Sequence, residues 1–279
     1  MRNVTDRPVR PPRHAPPEIA ELRRLREARP ELASAADMQI ALVESQRRIQ
    51  ARVSLPRLAP PVAGHRLVAF NDIPIDWTDF RLALRQTADI LLRFDAIDEE
   101  EHTRLVALGR DPTGLEPLVA RWYDEATPND AAPPDAGAQP ILDQVLMLAL
   151  RPFLARCVEA LGNGPVEVEA EPSSHCPVCG WEPDFSVVTR VAERRLVCGR
   201  CLAQWAFPLL ACPFCANDDR ARITSFATPD GLYRVSGCDV CHRYLKAFDA
   251  RHATRPVLVP ADTIATLPLD AAAMQRGYR

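Results

Sequence analysis

The spacing of the cysteines is the feature of this chain that most clearly indicates chemistry. Of nine cysteines, eight fall into Cys-x-x-Cys pairs between residues 176 and 241. The pairs are Cys176/Cys179, Cys198/Cys201, Cys212/Cys215 and Cys238/Cys241. One pair can present two thiolates from a single tight turn, and two pairs supply the four sulfur ligands of a tetrahedral metal site. The sequence therefore predicts two metal ions, each held by four cysteines.

Two ways of combining the pairs are compatible with this spacing. In a sequential arrangement, the first and second pairs hold one ion and the third and fourth pairs hold the other. In an interleaved arrangement, the first pair combines with the third and the second with the fourth. The sequential arrangement is favoured because each unit then closes a shorter loop around its own β-hairpin.

The residues inside and after the pairs also suit metal ligation. Pro177 and Gly180 in the first pair, and Pro213 in the third, are typical of a knuckle turn, because proline fixes φ and glycine supplies a positive φ. In such a turn, backbone N–H groups point toward the sulfurs and offset their negative charge. A tetrahedral four-sulfur site accepts zinc or iron, and spacing does not decide between them. Most such sites are structural crosslinks without chemistry of their own.

Other residues whose side chains could take part in chemistry are expected to have structural roles. Cys157 lies on the apolar face of a predicted helix and should be an inert core thiol. His175 and His242 flank ligand cysteines and are expected to be solvated neighbours, the alternative being a spare ligand or a hydrogen-bond partner of one. Trp205 should cover the first metal site, with a recognition role as the alternative. The acidic run at 98–101 is expected to be a solvated helix start.

Composition indicates a folded protein with a small negative charge. The 279 residues are 47% hydrophobic and carry a net charge of −3, which allows two domains and argues against a dedicated nucleic-acid binder. Residues 1–17 lack the apolar segment of a signal peptide, and no apolar run is long enough for a membrane span. We therefore expect a soluble cytoplasmic protein without membrane insertion, in which paired cysteines bind metals rather than form disulfides.

Helical periodicity dominates the chain as far as residue 162. Apolar residues at three- and four-residue spacing predict helices around 19–25, 38–53, 77–94, 105–108, 115–122 and 142–161. Asp76 or Thr78 is the expected N-cap of the third helix, and Pro152 should kink the last helix or mark a join between two. Residues 126–139 are rich in Pro, Ala, Asp and Gly and predict a loop.

Short strands and turns replace this pattern from residue 166. Strands are predicted at 185–188, 196–198, 223–226, 233–235 and 244–248. Pro229-Asp230-Gly231 predicts a hairpin turn, and residues 261–274 predict a C-terminal helix. The predicted domains are a flexible lead (1–17), a helical domain (18–165), a first metal module (166–210) and a second metal module with the C-terminal helix (211–279).

Four cysteine-bearing segments and the tail form a recognisable pattern. They are Cys176-Pro-Val-Cys-Gly180, Leu196-Val-Cys-Gly-Arg-Cys-Leu-Ala-Gln-Trp205, Cys212-Pro-Phe-Cys215, Cys238-Asp-Val-Cys-His-Arg-Tyr-Leu-Lys246, Asp262-Thr-Ile-Ala-Thr-Leu-Pro-Leu-Asp270 and Gly277-Tyr278-Arg279. This pattern resembles the FdhE family of formate dehydrogenase accessory proteins. The resemblance implies an α+β fold in which an N-terminal all-helical domain precedes two tandem rubredoxin-like, or zinc-ribbon, four-cysteine modules.

The same resemblance implies a function and a metal. Members of that family are cytoplasmic maturation factors for respiratory formate dehydrogenase, and they are thought to contact its catalytic subunit before export. Their metal is associated with iron, held at the positions that match the eight paired cysteines here. The sequence also lacks a glycine-rich phosphate loop and the G-x-S-x-G and H-E-x-x-H motifs, so we expect no enzymatic activity.

Three functional hypotheses follow. The leading one is a non-enzymatic assembly factor whose helical half binds a partner, the formate dehydrogenase catalytic subunit. The second is a nucleic-acid-binding zinc-ribbon protein, although aromatic and basic residues do not alternate as a stacking platform requires. The third is a rubredoxin-like electron carrier, which requires iron that cycles between two oxidation states.

Overall fold

The computed structural model describes residues 15–58, 66–125, 140–162, 164–166 and 173–279. Most of the predicted lead and the whole predicted loop at 126–139 lie outside these residues. The described chain has the predicted α+β class, with a helical N-terminal half followed by a sheet and C-terminal helices. Among the described residues, no helix combines the length and the apolar character that crossing a membrane requires.

Six α-helices are described in the N-terminal half between residues 15 and 162, each on a predicted apolar pattern. They are α1 (Pro17–Ala28), α2 (Ala33–Gln50), α3 (Trp77–Arg93), α4 (Glu99–Arg110), α5 (Leu115–Glu125) and α6 (Pro140–Leu161). Asp76 caps α3 by accepting the N–H groups of Thr78 and Asp79. Asp98 caps α4 by accepting the N–H of Glu101. The acidic run is therefore a helix start, as predicted, because carboxylates satisfy the free N–H groups there.

The longest helix, α6, forms the centre of the helical core. Its residues Val145, Leu146, Ala149, Leu150, Phe153 and Leu154 are completely buried. Phe153 packs against Phe80 of α3, with ring centroids 5.9 Å apart. Pro152 lies inside α6 without ending it. The predicted alternative of two joined helices is therefore not what the structure has.

The C-terminal half contains one six-stranded sheet in the order β3-β2-β1-β6-β5-β4. The strands are β1 (Pro183–Val188), β2 (Arg194–Cys198), β3 (Gln204–Phe207), β4 (Ile223–Ala227), β5 (Tyr233–Cys238) and β6 (Tyr244–Asp249). Five of them contain the predicted strands, and the turn at Pro229-Asp230-Gly231 joins β4 to β5. The short strand β3 was not predicted, since two of its four residues, Gln204 and Ala206, have low strand propensity.

The sheet consists of two equivalent three-stranded meanders placed side by side. Strands β1-β2-β3 and β4-β5-β6 are antiparallel within each meander. Cys198 ends β2 and Cys238 ends β5, so the second knuckle follows the second strand in both meanders. The meanders meet where β1 runs parallel to β6, with Phe185 opposite Lys246 and Val187 opposite Phe248. The two metal modules therefore share one continuous sheet.

Two helices, rather than the single predicted one, cover one face of this sheet. Helix α7 (Val259–Ala265) and helix α8 (Leu267–Gln275) are separated at Thr266. Pro268 explains the break, because it has no N–H to continue the hydrogen bonds of α7 and its ring would clash with the carbonyl of residue 264 in a continuous helix. The domain boundaries at 165/166 and 210/211 stay predictions.

Polar bonds fix these helices to the sheet. Three of them are charge-assisted contacts, from Tyr233 Oη to Asp262 Oδ1 (2.7 Å), from Lys246 Nζ to Asp270 Oδ2 (2.6 Å) and from Tyr244 Oη to Asp270 Oδ1 (2.8 Å). Hydrogen bonds that involve an ionised group are stronger than neutral ones. These contacts therefore hold α7 and α8 against this face of the sheet.

Candidate metal centres

Each Cys-x-x-Cys pair forms the same backbone turn. The N–H of the residue after the second cysteine donates to the carbonyl of the first cysteine. These bonds are Gly180 to Cys176 (2.8 Å), Leu202 to Cys198 (3.2 Å), Ala216 to Cys212 (3.0 Å) and His242 to Cys238 (2.8 Å). The N–H of each first cysteine in turn donates to the carbonyl two residues after the second cysteine, at 2.8 to 3.0 Å. The four turns are therefore one local structure built from four different sequences.

The residue after the second cysteine has a positive φ in every turn. The values are 75° for Gly180, 62° for Leu202, 57° for Ala216 and 57° for His242. The sequence predicted this conformation only where glycine stands. Non-glycine residues adopt it at a cost of about 1–2 kcal/mol, so the other three knuckles hold a strained residue that the surrounding bonds must stabilise.

The sulfur atoms meet in two groups of four. Cys176, Cys179, Cys198 and Cys201 form the first cluster, and Cys212, Cys215, Cys238 and Cys241 form the second, with all sulfurs of a cluster within 4.8 Å of one another. The structure thus has the sequential arrangement and not the interleaved one. None of the nine cysteines is in a disulfide.

The sulfur spacing suits a tetrahedral ion. In the first cluster, the Cys176–Cys201 and Cys179–Cys198 Sγ distances are 3.6 and 3.4 Å. In the second cluster, the Cys212–Cys241 and Cys215–Cys238 Sγ distances are 3.7 and 3.6 Å. A tetrahedron with metal–sulfur bonds of ~2.3 Å has sulfur–sulfur edges of about 3.8 Å. Each cluster could therefore hold one metal ion.

Backbone N–H groups point at the sulfurs, as the knuckle geometry predicts. The N–H groups of Arg200 and Cys201 lie 3.3 and 3.4 Å from Cys198 Sγ. In the second cluster, burial raises the pKa of Cys238, but the N–H groups of Cys241 and Val240 together with hydrogen bonds from neighbouring thiols outweigh it and lower that pKa. These donors favour the thiolate, which is the form that binds a metal.

Burial differs between the two clusters. All four cysteines of the first cluster are buried, whereas Cys215 of the second is exposed and Cys241 is partly exposed. Burial raises the pKa of Cys176 and of Cys201 well above the ordinary value, so these thiols hold their protons unless a cation replaces them. Metal binding at the first cluster must therefore release protons.

The helical half contacts both knuckles of the first cluster. Ahead of α3, the N–H groups of Leu67 and Val68 donate to the carbonyls of Pro177 and Val178, at 2.8 and 3.0 Å. From α6, Arg151 donates to the carbonyl of Gly199 (2.5 Å) in the second knuckle. The first cluster also belongs to the same apolar core as α3, α5 and α6. A metal ion there would thus crosslink the sheet and the helical half.

Arg200, inside the second knuckle, is a site residue that sequence reasoning missed. It is fully buried, and its guanidinium carbon lies 4.1 to 5.0 Å from the ring centroids of Trp181, Trp122 and Tyr123. Cation–π contacts of this kind stabilise a desolvated cation. Its charge lies beside the thiolates of the first cluster and favours their ionised form. The arginine in the Cys-Gly-Arg-Cys turn was the available signal, but its aromatic partners are distant in sequence.

The ninth cysteine, the tryptophan and the two histidines singled out in the sequence are not grouped with the clustered sulfurs. Cys157 is fully buried away from both clusters, and burial raises its pKa to about 12. Trp205 is buried in the same core as the first cluster and donates from Nε1 to the carbonyl of Ser173 (2.8 Å). His175 contacts Ser174 through its ring, and His242 is exposed. Neither histidine is among the residues grouped with the clustered sulfurs.

Comparison with known proteins links this geometry to one family. No protein-family model matches the chain. The chain is 32% identical over 120 residues to a protein named FdhE homolog from Haemophilus influenzae (strain PittEE), covering 42% of this chain and 39% of that protein. It is 32% identical over 111 residues to Protein FdhE from Escherichia coli O1:K1 / APEC, covering 39% and 36%. The match thus spans about two fifths of the length of these curated relatives.

A solved structure extends the likeness beyond this stretch. The crystal structure of the FdhE protein from Pseudomonas aeruginosa superimposes with a TM-score of 0.59 over 94% of this chain and 91% of that chain, at 21% identity. The resemblance to the FdhE family is confirmed. The likeness in fold therefore covers the helical half as well as the sheet that carries the two four-cysteine clusters in this chain.

Proposed function

We propose that the chain is a cytoplasmic accessory factor for the maturation of formate dehydrogenase, without catalytic activity of its own. The observation that carries this proposal is the FdhE fold over 94% of the chain, together with its sequence similarity to proteins named FdhE. The helical half would provide the surface that binds the catalytic subunit during assembly.

The eight clustered cysteines are proposed to hold two metal ions, one per cluster. The donor set of four thiolates fits zinc and iron alike, and the family resemblance favours iron. Either ion would crosslink its module, and iron would add a one-electron couple. The chain's own contribution is to hold four sulfurs at tetrahedral spacing, to direct N–H groups at them and, at the first cluster, to exclude water.

Deletion of the gene in its host tests the maturation role. We expect formate dehydrogenase activity to be lost while the catalytic subunit is still synthesised, and wild-type protein to restore it. Unchanged activity after deletion would contradict the proposal. Affinity purification of the tagged protein from the native cytoplasm should recover the catalytic subunit, whereas a tagged unrelated four-cysteine protein should not.

Elemental analysis tests the metal assignment separately. Protein purified without oxygen should contain two ions per chain, and substitution of one cysteine in a cluster should remove one of them. Protein that is folded but metal-free after gentle purification would refute the assignment.

Exposure of Cys215 favours electron transfer as a second candidate function. A sulfur ligand at the surface gives an electron a short path to a partner, and Cys215 is exposed whereas the first cluster is enclosed. The iron-loaded protein should then show a reversible one-electron couple in voltammetry. Protein from the native host that contains only zinc would exclude this function.

A further inference from the structure

A cavity of about 360 Å³ lies on the face of the sheet opposite the C-terminal helices. Ser186 and Val188 of β1 and Leu245 and Ala247 of β6 line it, while the alternate residues of these strands face α7 and α8. The segment between β3 and the third knuckle forms one wall, and Cys212 and Cys238 of the second cluster form part of another. The volume falls in the range of small-molecule sites, ~300–1,000 Å³.

Positive charge dominates the lining of this cavity. Five arginines contribute to it, and no Asp or Glu does so among the described residues: the arginines are Arg194, Arg220, Arg234, Arg243 and Arg251. Two carboxylates behind the lining neutralise part of this charge. Asp249 pairs with Arg234 and Arg251, and Glu182 pairs with Arg243. Five cations against two carboxylates leave a surplus of three positive charges around one cavity.

Within the described ranges, Arg194 is buried without a carboxylate partner, and one donor atom of the half-buried Arg234 is buried without an acceptor. Arg194 is only 7% exposed, and its polar contact is with the carbonyl of Ala211 (2.8 Å) rather than with a carboxylate. Burial lowers the pKa of its guanidinium to about 10. The Nε of Arg234 is buried and has no hydrogen-bond partner among the described residues. A buried donor that lacks an acceptor is unfavourable, and an anion bound within its reach would supply the acceptor.

The second metal cluster accounts for only part of this surplus. A divalent ion held by four thiolates carries two negative charges, and Cys212 and Cys238 line the cavity. The arginines could therefore exist simply to balance the loaded cluster. Even then one positive charge is left over, and Arg220 and Arg234 are contributed by the side of the sheet around Ser225 and Ser236, whose hydroxyl groups line the same cavity.

We propose that this cavity binds a phosphate monoester. Several guanidinium groups and serine hydroxyls around one space match a doubly charged group with three free oxygens better than a singly charged carboxylate with two. The organic part of the ester would pack on the apolar wall, where Leu209 and Leu210 are exposed at 46% and 37%. This proposal is independent of the maturation role.

Binding of phenyl phosphate to the metal-loaded full chain tests the proposal, with inorganic phosphate and benzoate as comparison ligands. Calorimetry at low salt should show phenyl phosphate binding at least about tenfold more tightly than benzoate, since the dianion can accept at least one more charged hydrogen bond. It should also bind more tightly than inorganic phosphate, because only the ester reaches the apolar wall.

A matched pair of variants locates the site. Arg220 lines the cavity, whereas Arg222, two residues later in the same exposed turn, does not line it and contacts the carbonyl of Asp239. Arg220→Gln should weaken phenyl phosphate binding about tenfold or more, and Arg222→Gln should leave it unchanged. Both changes are at exposed positions, so circular dichroism should show the wild-type fold.

Three outcomes would overturn the proposal. The first is that phenyl phosphate does not bind the wild type at millimolar concentration and that Arg220→Gln changes only the rate of metal loss. The role of the arginines would then be to balance the charge of the loaded cluster. The second is equal weakening by Arg220→Gln and Arg222→Gln, which would indicate a diffuse surface effect. The third is equal affinity for the three ligands, which would exclude a site shaped for a phosphate ester.

Discussion

Backbone conformation at single residues decides how well each knuckle can form. Four turns require a positive φ immediately after the second cysteine, and only Gly180 adopts it without strain. Leu202, Ala216 and His242 are held there by the bonds that close each turn. The strain is tolerated because an ion bound by four sulfurs would stabilise the turn by far more than the ~1–2 kcal/mol involved.

Ala216 allows this strain to be varied without other change, because its side chain is exposed. Ala216→Val should lose metal from the second cluster about tenfold faster, since a β-branched residue is poorly tolerated at positive φ. Ala216→Gly should match the wild type, because relief of strain is offset by the greater freedom of glycine in the unfolded chain. Release is measured with a chromogenic chelator.

Ala227→Val is the control for Ala216→Val. Ala227 is also exposed but lies in strand β4, where a β-branched residue is favoured. Its substitution should not change metal release. If both valine variants lose metal equally fast, the strain at Ala216 is not the cause.

Cys157 gives the protein a pH dependence that is separate from the metal clusters. Burial raises the pKa of its thiol from 9.0 to about 12, so the folded state keeps the proton that the unfolded state loses above pH 9. Stability therefore falls as pH rises from 9 toward 12, by about 2 kcal/mol halfway through this window.

Cys157→Ala should remove this dependence. The variant is expected to be less stable than the wild type at pH 8, because the substitution leaves a small cavity. Since it has no thiol to ionise, the difference between the two proteins should shrink by pH 10.5. Denaturant unfolding at both values measures this, and a constant difference would show that the thiol does not titrate as proposed.

At the scale of elements, the two clusters have equivalent turns but different neighbours. The first cluster is enclosed by α3, α5 and α6 and by the segment at Leu67 and Val68. The second lies beside the arginine-lined cavity and is contacted at its last knuckle by the C-terminal residues, and one of its cysteines, Cys215, is exposed. The same local structure therefore serves as an internal crosslink in one place and as an accessible site in the other.

Cys179 and Cys215 occupy the same position in the two modules and form a matched pair. Cys179→Ser should remove the first ion and strongly lower the melting temperature, because structural ions contribute ~10–16 kcal/mol and this one would hold the helical half to the sheet. Cys215→Ser should remove the second ion with a smaller effect on melting.

Chelation of the wild-type protein checks the same difference without a substitution. The exposed cluster should lose its ion in a fast phase and the enclosed cluster in a slow phase, with Cys215→Ser lacking the fast phase. A single phase for both ions, or equal melting temperatures for the two serine variants, would show that burial does not govern retention.

Sequence reasoning predicted the elements better than their association. Periodic apolar residues located the six N-terminal helices, and β-branched and aromatic residues located five of the six described strands. The cysteine spacing gave the two groups of sulfurs. It missed β3, whose four residues carry little signal, and the break at Thr266. It also missed the aromatic rings around Arg200 and the cavity lined by five arginines. The residues of both come from separate elements and meet only after packing.

For the whole molecule, the parallel contact between β1 and β6 determines whether the two modules are independent. Without β6, strand β1 would become an open edge, and Phe185 and Val187 would lose the cover of Phe248 and α7. An exposed apolar edge strand is prone to aggregation. Glu182 and Arg243 add a bidentate ion pair between the modules. We therefore expect the two four-cysteine modules to fold as one unit, although their sequences read as two.

Truncation after residue 210 tests this expectation. The shortened chain retains the helical half and all four cysteines of the first cluster, yet we expect it to be insoluble or to lack a cooperative unfolding transition. The full-length Cys215→Ser variant is the control, because it loses the second ion but keeps strands β4 to β6 and should stay soluble. Gel filtration and calorimetry could instead show a monomeric fragment that binds one ion and unfolds cooperatively. The first module and the helices would then be stable on their own, because the β1 edge would need no partner.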